Sequence, residues 1–538
     1  MRHMGSFDYI IAGAGAAGCV LANRLSVNPN IKVLLLEAGN DERWIWTKIP
    51  VGYLYCINNP RTDWCYKTQP EAGLNGRSII YARGKGLGGS TLINAMLYLR
   101  GQARDYNEWA ELTGDSNWNW QHVLPTFKAV EDYWRGSNEF HGEGGEWRVE
   151  KQRLSWDILD RFAEAAIQAG IPANADFNRG DNLGVSQFEV NQKRGTRWSS
   201  VRGFLNPIRN RQNLHIITGA LTDKLIIEGR KVTGIQFQRN GETCQAQSHM
   251  ETILAAGSIG SPAILQRSGI GDAKWLQEKG IPVVLDKPAV GANLQDHLQL
   301  RSIFKVHGIK TLNQSANSLW GKALMGLEYV LFRTGPLTMA PSQLGLFAYS
   351  DETVETPDLE YHVQPLSLDK FGDPLHDFSA FTASVCDLRP QSRGWVKIAD
   401  ADPNVSPLIA PCYLSHEADQ LKATKAIRLT RKIASQAALT PYQPTEYLPG
   451  LHYQTDAELV TAAGNIGTTI FHPVGTCKMG KAEDKDAVVD SRLRLIDMEG
   501  IRIVDASIMP TITSGNTSSP TIMIATRGAE MILQDRRA

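Results

Sequence analysis

Phe7-Asp-Tyr-Ile-Ile-Ala-Gly13-Ala-Gly15-Ala-Ala-Gly18 is the stretch whose reading decides the fold. Phe7 to Ala12 is a short apolar run that stops at glycine, the pattern of a buried strand. Ala14 to Leu25 carries small residues at helical spacing, and Lys32-Val-Leu-Leu-Leu-Glu37 reads as a second buried strand. Strand, glycine turn, helix and strand make a βαβ unit. In such a unit Gly13 permits the tight turn, Gly15 lets the backbone approach a pyrophosphate, and Gly18 lets helix and strand pack closely. Ala16 and Ala17 stand in the helix's first turn, where free N–H groups and the positive dipole end favour phosphate. Glu37, with Ala38 beside it, closes the second strand. Its carboxylate suits ribose hydroxyls and repels a 2′-phosphate, which disfavours NADP. Met1 to Ser6 reads as a cloning remnant and is set aside.

Working outward, 538 residues exceed what one core usually supports, so two domains are expected. Lys+Arg and Asp+Glu balance at 56 each, which offers no general attraction to nucleic acid. The seven cysteines form no C-x-x-C pair, so the sequence supports no metal site. Sparse, odd-numbered cysteines and the lack of a signal-like N-terminus suggest reduced thiols and a cytoplasmic setting. No apolar run is long enough to span a membrane. Trp320 to Tyr349 is the most apolar long segment, broken by Gly326, Gly335, Pro336 and Pro341. It reads as a helix and loop of the substrate domain, or as a surface for a membrane or a lipophilic substrate. The sequence leaves inner-membrane association and oligomeric state open.

Asp157 to Ala169 has helical periodicity. Leu214 to Thr218 reads as a strand, and Asp223 to Ile227 pairs with Val232 to Phe237 as an expected hairpin. Glu251 to Ala256 and Gly500 to Asp505 are further buried strands, and Pro520 to Asp535 is a helix. Leu359-Glu-Tyr-His-Val-Gln alternates as a half-buried strand does. Nucleotide-type segments at both ends and in the middle therefore enclose another domain. The expected division is 1–155, 201–300 and 465–538 for cofactor, with 156–200 and 301–464 for substrate. The expected fold is α/β: a Rossmann-like dinucleotide-binding domain interleaved with an α+β substrate domain on an antiparallel sheet.

A second glycine cluster, Gly84-Lys-Gly-Leu87-Gly88-Gly89-Ser90-Thr91, follows the strand-like Ser78 to Ala82. From there the chain resembles the glucose–methanol–choline (GMC) family of FAD oxidoreductases. The likeness runs through Gly84 to Asn94 and on to Tyr98. It continues in Gly257-Ser-Ile-Gly-Ser-Pro262 to Gly271 and in Val290-Gly-Ala-Asn-Leu-Gln-Asp-His297. Phe471-His472-Pro-Val-Gly-Thr-Cys-Lys-Met-Gly480 and the segment from Asp505 to Ala525 complete it. The motifs keep family order and cover nearly the whole chain.

The resemblance implies that Gly13, Gly15, Gly18 and Glu37 hold the ADP half of FAD, with Thr222 at the adenine. It places Arg83, Leu87, Gly88, Gly89 and Ser90 along the pyrophosphate and flavin, with Asn94 and Leu97 behind. Ala256, Asp505, Ala506, Asn516 and Thr517 approach from the C-terminal side. Where some choline-oxidising members carry a histidine that bonds FAD covalently, this chain has Ile93, so FAD is expected to be non-covalent. The resemblance also makes His472 the catalytic base and Asn516 its partner on the substrate oxygen. An imidazole suits the first role and an amide donor the second. His297 is read as structural.

The implied function is oxidation of a primary alcohol to the aldehyde, with hydride passing to the flavin. A quinone-like acceptor would take the electrons. Competing readings are an oxidase that uses oxygen, a choline dehydrogenase, and a lyase or decarboxylase on the same scaffold. Trp44, Trp46, Trp64, Trp118 and Trp120 also raise the idea of an aromatic cage for choline.

Overall fold

The computed structural model describes residues 1–41, 43–316, 319–369 and 373–536. The opening stretch folds as its pattern demands. The strand Arg2–Ala12 runs into the Gly13 turn, the helix Ala16–Leu25 follows, and the strand Val33–Glu37 returns parallel to the first. Two glycines are fixed sterically. Gly13 has φ +102°, and a Cβ there would lie 2.5 Å from the Ala255 carbonyl oxygen. A Cβ on Gly18 would lie 1.9 Å from the Gly13 carbonyl oxygen. The set-aside N-terminus is not idle. Arg2 to Ser6 extends the first strand against Cys244 to Gln247, because the partner strand Glu242–Leu254 is long enough to offer it hydrogen bonds.

The first sheet is ordered Leu214–Thr218, Val33–Glu37, Arg2–Ala12, Glu242–Leu254, Lys231–Arg239, Leu221–Glu228. The first four strands are mutually parallel, and Ile501–Ile503 joins parallel to Thr252–Leu254. The expected hairpin forms and pairs antiparallel with the lower half of Glu242–Leu254. The terminal helix Ser518–Asp535 packs on the helix Ala16–Leu25. Ser78 to Ala82 forms no strand; its contact is an isolated bridge from Ile80 to Lys67.

The second sheet is wholly antiparallel. Its order is Thr445–Leu448, Leu298–Lys305, Ala380–Asp387, Leu359–Gln364, Leu344–Ala348, Gly184–Gln187, with Gly467–Thr469 on the start of Leu298–Lys305. Two of these strands reach past the expected substrate segments: Leu298–Lys305 starts before residue 301, and Gly467–Thr469 follows residue 464. Alternation gives the sheet two faces. Leu300, Tyr361, Val363, Phe381 and Val385 face a core shared with the helices Asp157–Gln168 and Glu417–Ala434. Gln299, Arg301, His362 and Gln364 face the other way, into a cavity.

Among the described residues the seven cysteines form no disulfide. No described helix is long and apolar enough to cross a membrane. Gly18→Ala is expected to cost about 1–3 kcal/mol, because the new methyl meets backbone that cannot yield. A lower midpoint in thermal unfolding would show it.

Candidate active site

A cavity of about 1060 Å³ opens between the two sheets. Gly13, Gly15, Ala16, Ala17, Glu37, Ala38, Arg83, Gly89, Ser90, Asn94, Leu97, Thr222, Ala256, Asp505, Ala506, Asn516, Thr517 and His472 all line it. Gly18, Leu87 and Gly88 do not. Gly18 packs inside the helix turn. Leu87 and Gly88 give their N–H groups to Asn40 and Ala14 carbonyls, at 3.2 and 2.8 Å, and so hold one glycine loop against the other.

Glu37 also ties the two glycine loops together. Its carboxylate accepts the N–H of Ala14 (3.0 Å), Gly39 (2.8 Å) and Gly86 (3.0 Å), which joins both glycine loops. Burial pushes its pKa up against the pull of these donors. Asp505 plays a similar part, accepting from Gly257 N–H, the Ser261 hydroxyl, and both N–H and hydroxyl of Ser507. The helix Ala16–Leu25 starts at Gly15 with no side-chain cap, and the helix Ser518–Asp535 starts likewise at Thr517. Both uncapped ends reach the cavity, so their free N–H groups face whatever binds there. A dinucleotide fits this frame: small residues where a pyrophosphate needs backbone, an acidic group where ribose lies, and open helix ends. The Thr222 carbonyl accepts from Arg267 at 3.1 Å. Asn94 accepts from Met96 N–H and from Arg197, at 3.1 and 2.8 Å. Arg83 is half-buried and donates to the Phe471 and Ala82 carbonyls. Ile93 lines the cavity where a covalent link would need histidine.

The His472–Asn516 pair is held from behind. Asn516 Nδ2 lies 2.9 Å from His472 Nε2, and His472 Nδ1 lies 3.1 Å from His297 Nδ1. His297 Nε2 is 3.3 Å from the Leu388 carbonyl oxygen. A carbonyl only accepts, so His297 carries its proton on Nε2 and offers a lone pair at Nδ1. His472 must then carry its proton on Nδ1, which leaves Nε2 as the lone pair that meets Asn516. Burial holds both imidazoles below their usual pKa, His472 further lowered by His297, His362 and Arg83 around it. Asp296 anchors the backbone. Its Oδ1 accepts the N–H of His472 (2.7 Å) and of His297 (3.0 Å), while its Oδ2 accepts from the Thr469 (2.6 Å) and Tyr413 hydroxyls. Phe471, just before His472, sits at φ +67°, a strained conformation for a bulky residue. Motif reading gave His297 a structural part; its ring in fact supports His472 directly. The signal was present in Gln295-Asp-His297, but only the fold shows that this segment meets Phe471-His472.

His297, Glu360 and Cys386 lie close enough to share an ion. Both His297 nitrogens are already engaged, so the cluster lacks a free imidazole ligand. The five-tryptophan cage does not assemble. Trp118 is fully buried against Trp109, and Trp120 packs on Tyr106 and Phe127. Only Trp46 and Trp64 of the five reach the cavity, each stacked on a tyrosine.

An uncapped dinucleotide turn facing a buried histidine–amide pair defines a nucleotide-dependent oxidoreductase. The comparisons make the class specific. Family models described as GMC oxidoreductase match residues 7–299 and 390–525. The chain is 39% identical over 536 residues to "Oxygen-dependent choline dehydrogenase 1" of Chromohalobacter salexigens, covering 99% of this chain and 96% of that one. It is 39% identical over 532 residues to "Alcohol dehydrogenase [acceptor]" of Pseudomonas putida, covering 98% and 96%. Among solved structures, pyridoxine 4-oxidase from Mesorbium loti superposes with a TM-score of 0.89 at 30% identity over 99% of this chain and all of that one. The chain belongs to the GMC oxidoreductase family, whose cofactor is FAD.

His297→Leu removes the acceptor for His472 Nδ1–H and frees the ring to take either tautomer. Alcohol-dependent reduction should slow by about 10- to 100-fold at every pH. The wild-type rate should stay level above pH 6.5 and fall only on the acid side, where His472 gains a proton. Stopped-flow profiles of both proteins test this, and a wild-type decline beginning above neutrality would contradict it.

Proposed function

We propose that this chain oxidises a primary alcohol to the aldehyde, with His472 as base and Asn516 orienting the substrate oxygen. The observation that carries the reading is the tautomer chain from Leu388 through His297 to His472, which leaves Nε2 unprotonated beside an amide donor. FAD, when bound, supplies the hydride acceptor. His472 Nε2 takes the hydroxyl proton. As substrate enters, the Asn516 amide hydrogen shifts from His472 Nε2 to the substrate oxygen, which frees the Nε2 lone pair for the proton and stabilises developing negative charge. Asn516 Oδ1 is buried without a partner, as befits a side chain that completes its bonds with a ligand.

On this proposal Gly13, Gly15, Glu37 and Ala38 hold the ADP half, and Thr222 meets the adenine. Arg83, Gly89, Ser90, Asn94, Leu97, Ala256, Asp505, Ala506 and Thr517 surround the rest. Residues 1–155, 201–300 and 465–538 carry cofactor, and 156–200 with 301–464 shape the substrate site. Electrons pass to a quinone-like acceptor. In support of a peripheral membrane contact, the helix Leu319–Phe332 turns Trp320, Leu324, Leu327, Val330 and Leu331 outward, with Trp320 81% exposed. The relatives named for choline and for acceptor-linked alcohol oxidation support the reaction class.

The test mixes the FAD-loaded protein anaerobically with choline and with aliphatic, aromatic and polyether alcohols. At least one primary alcohol should bleach the flavin absorbance. His472→Ala should keep its FAD yet react about 100-fold slower or worse; an unchanged rate would remove His472 from the role. FAD itself is expected to dissociate, since Ile93 offers no nucleophile. After acid precipitation the yellow colour should stay in the supernatant; a yellow pellet would show a covalent bond.

A further inference from the structure

Arg301, half-buried, stands apart from the buried arginines near the site. It lies on the cavity face of the strand Leu298–Lys305, directly opposite Ser384 and two residues beyond Gln299. No described residue gives its guanidinium a hydrogen bond or an ion pair. Its near neighbour is the buried Tyr53, and burial lowers the arginine's pKa to about 10. By contrast Arg83 and Arg197 donate to backbone carbonyls, and Arg100 pairs with Glu131. Arginine stays charged in proteins, so a half-buried guanidinium that faces a cavity with no described protein partner is placed to meet an anionic ligand there.

The surroundings narrow that anion. Arg301 belongs to the second sheet, whereas the dinucleotide turn belongs to the first, so FAD phosphates sit elsewhere. The cavity is lined on the same sheet face by Gln299, His362 and Gln364, and elsewhere by the apolar Leu312, Met325, Leu366 and Leu368. Three residues lie between Arg301 and His297, about 13 Å along the backbone. A ligand that reaches both ends has a hydroxyl at His472, an aliphatic middle and an anionic end.

We infer that Arg301 is a carboxylate subsite and that the substrates are hydroxy acids whose hydroxyl and carboxylate are separated by several carbons. A planar guanidinium matches a carboxylate through paired hydrogen bonds. The same charge repels a quaternary ammonium group, so choline is a poor substrate. The inference rests on the proposed alcohol oxidation for its hydroxyl end, but the carboxylate end can be tested without turnover.

Calorimetry on the FAD-loaded protein measures binding of butanoate, octanoate and dodecanoate, which have no hydroxyl to oxidise, beside octanol. At least one carboxylate should bind more tightly than octanol. Arg301→Met should weaken it about tenfold or more, and Arg301→Lys should restore part of the loss, while octanol binding stays unchanged. Anaerobic flavin reduction then compares ω-hydroxyoctanoate with octanol. A lower KM for the hydroxy acid in wild type but not in Arg301→Met supports the subsite. Equal binding of octanoate and octanol, or an Arg301→Met variant that loses both alike, overturns it. If octanoate binds through Arg301 but no alcohol bleaches the flavin, the subsite stands and the alcohol oxidation falls. If alcohols bleach it with no advantage for a carboxylate, the oxidation stands and the subsite falls.

Discussion

The hydrogen bond from His297 Nε2 to the Leu388 carbonyl constrains everything in front of it. Because that oxygen can only accept, the proton positions on two buried imidazoles follow in sequence, and the lone pair emerges at His472 Nε2. A neutral imidazole could otherwise place its proton on either nitrogen. Burial adds the second condition, since it disfavours the protonated ring. The tautomer of His472 is thus set by a backbone carbonyl that acts through His297. No carboxylate touches the His472 ring; Asp296 works on the backbone instead, gripping the N–H groups of both histidines.

That relay depends on sheet pairing. Leu298 pairs with Thr469 across the antiparallel edge, so the residue before one strand and the residues after the other fall together. Asp296 then bridges them through Thr469 and His472. The strained Phe471 turns the chain so that His472 faces the cavity, with Arg83 holding the Phe471 carbonyl. The two sheets share one cavity because each strand that carries a site residue ends at it.

Local pattern made much of this legible. The βαβ unit, its glycines and Glu37 were readable because a buried strand, a tight turn and a helix end each leave a short-range signature. The motif resemblance placed His472, Asn516 and the cofactor residues, nearly all of which meet at one cavity. What was not legible depends on distant partners. That Glu37 accepts three backbone N–H groups requires knowing where Gly86 lies. That His297 supports His472 requires a pairing across more than 170 residues. The tryptophan cage failed for the same reason: Trp118 and Trp120 sit in a polar loop by sequence, but fold onto Trp109, Tyr106 and Phe127. Arg301 gave no signal, since one arginine in an alternating strand reads as a solvated face.

The distribution of unmet demands points the same way as the geometry. Several of the fold's buried charges are answered within it. Arg100, Glu131 and His141 form a closed cluster, and Arg502 is shared between Glu251 and Asp535. Buried polar groups are normally paired because an unpaired one is expensive. Around the cavity the rule lapses at several neighbouring places: Asn516 Oδ1 and Ser384 Oγ lack partners, Arg301 lacks a counter-charge, and two helices begin uncapped. Phe471 adds backbone strain. Unpartnered atoms such as Trp147 Nε1 and Arg153 Nε occur elsewhere too; those at the cavity are set apart by sharing one space that a ligand can fill. On the proposed reading the helix ends and glycine turns serve the dinucleotide, and the amide serves the substrate oxygen. The guanidinium, on the cavity face of the second sheet, is left with a demand that neither of those meets.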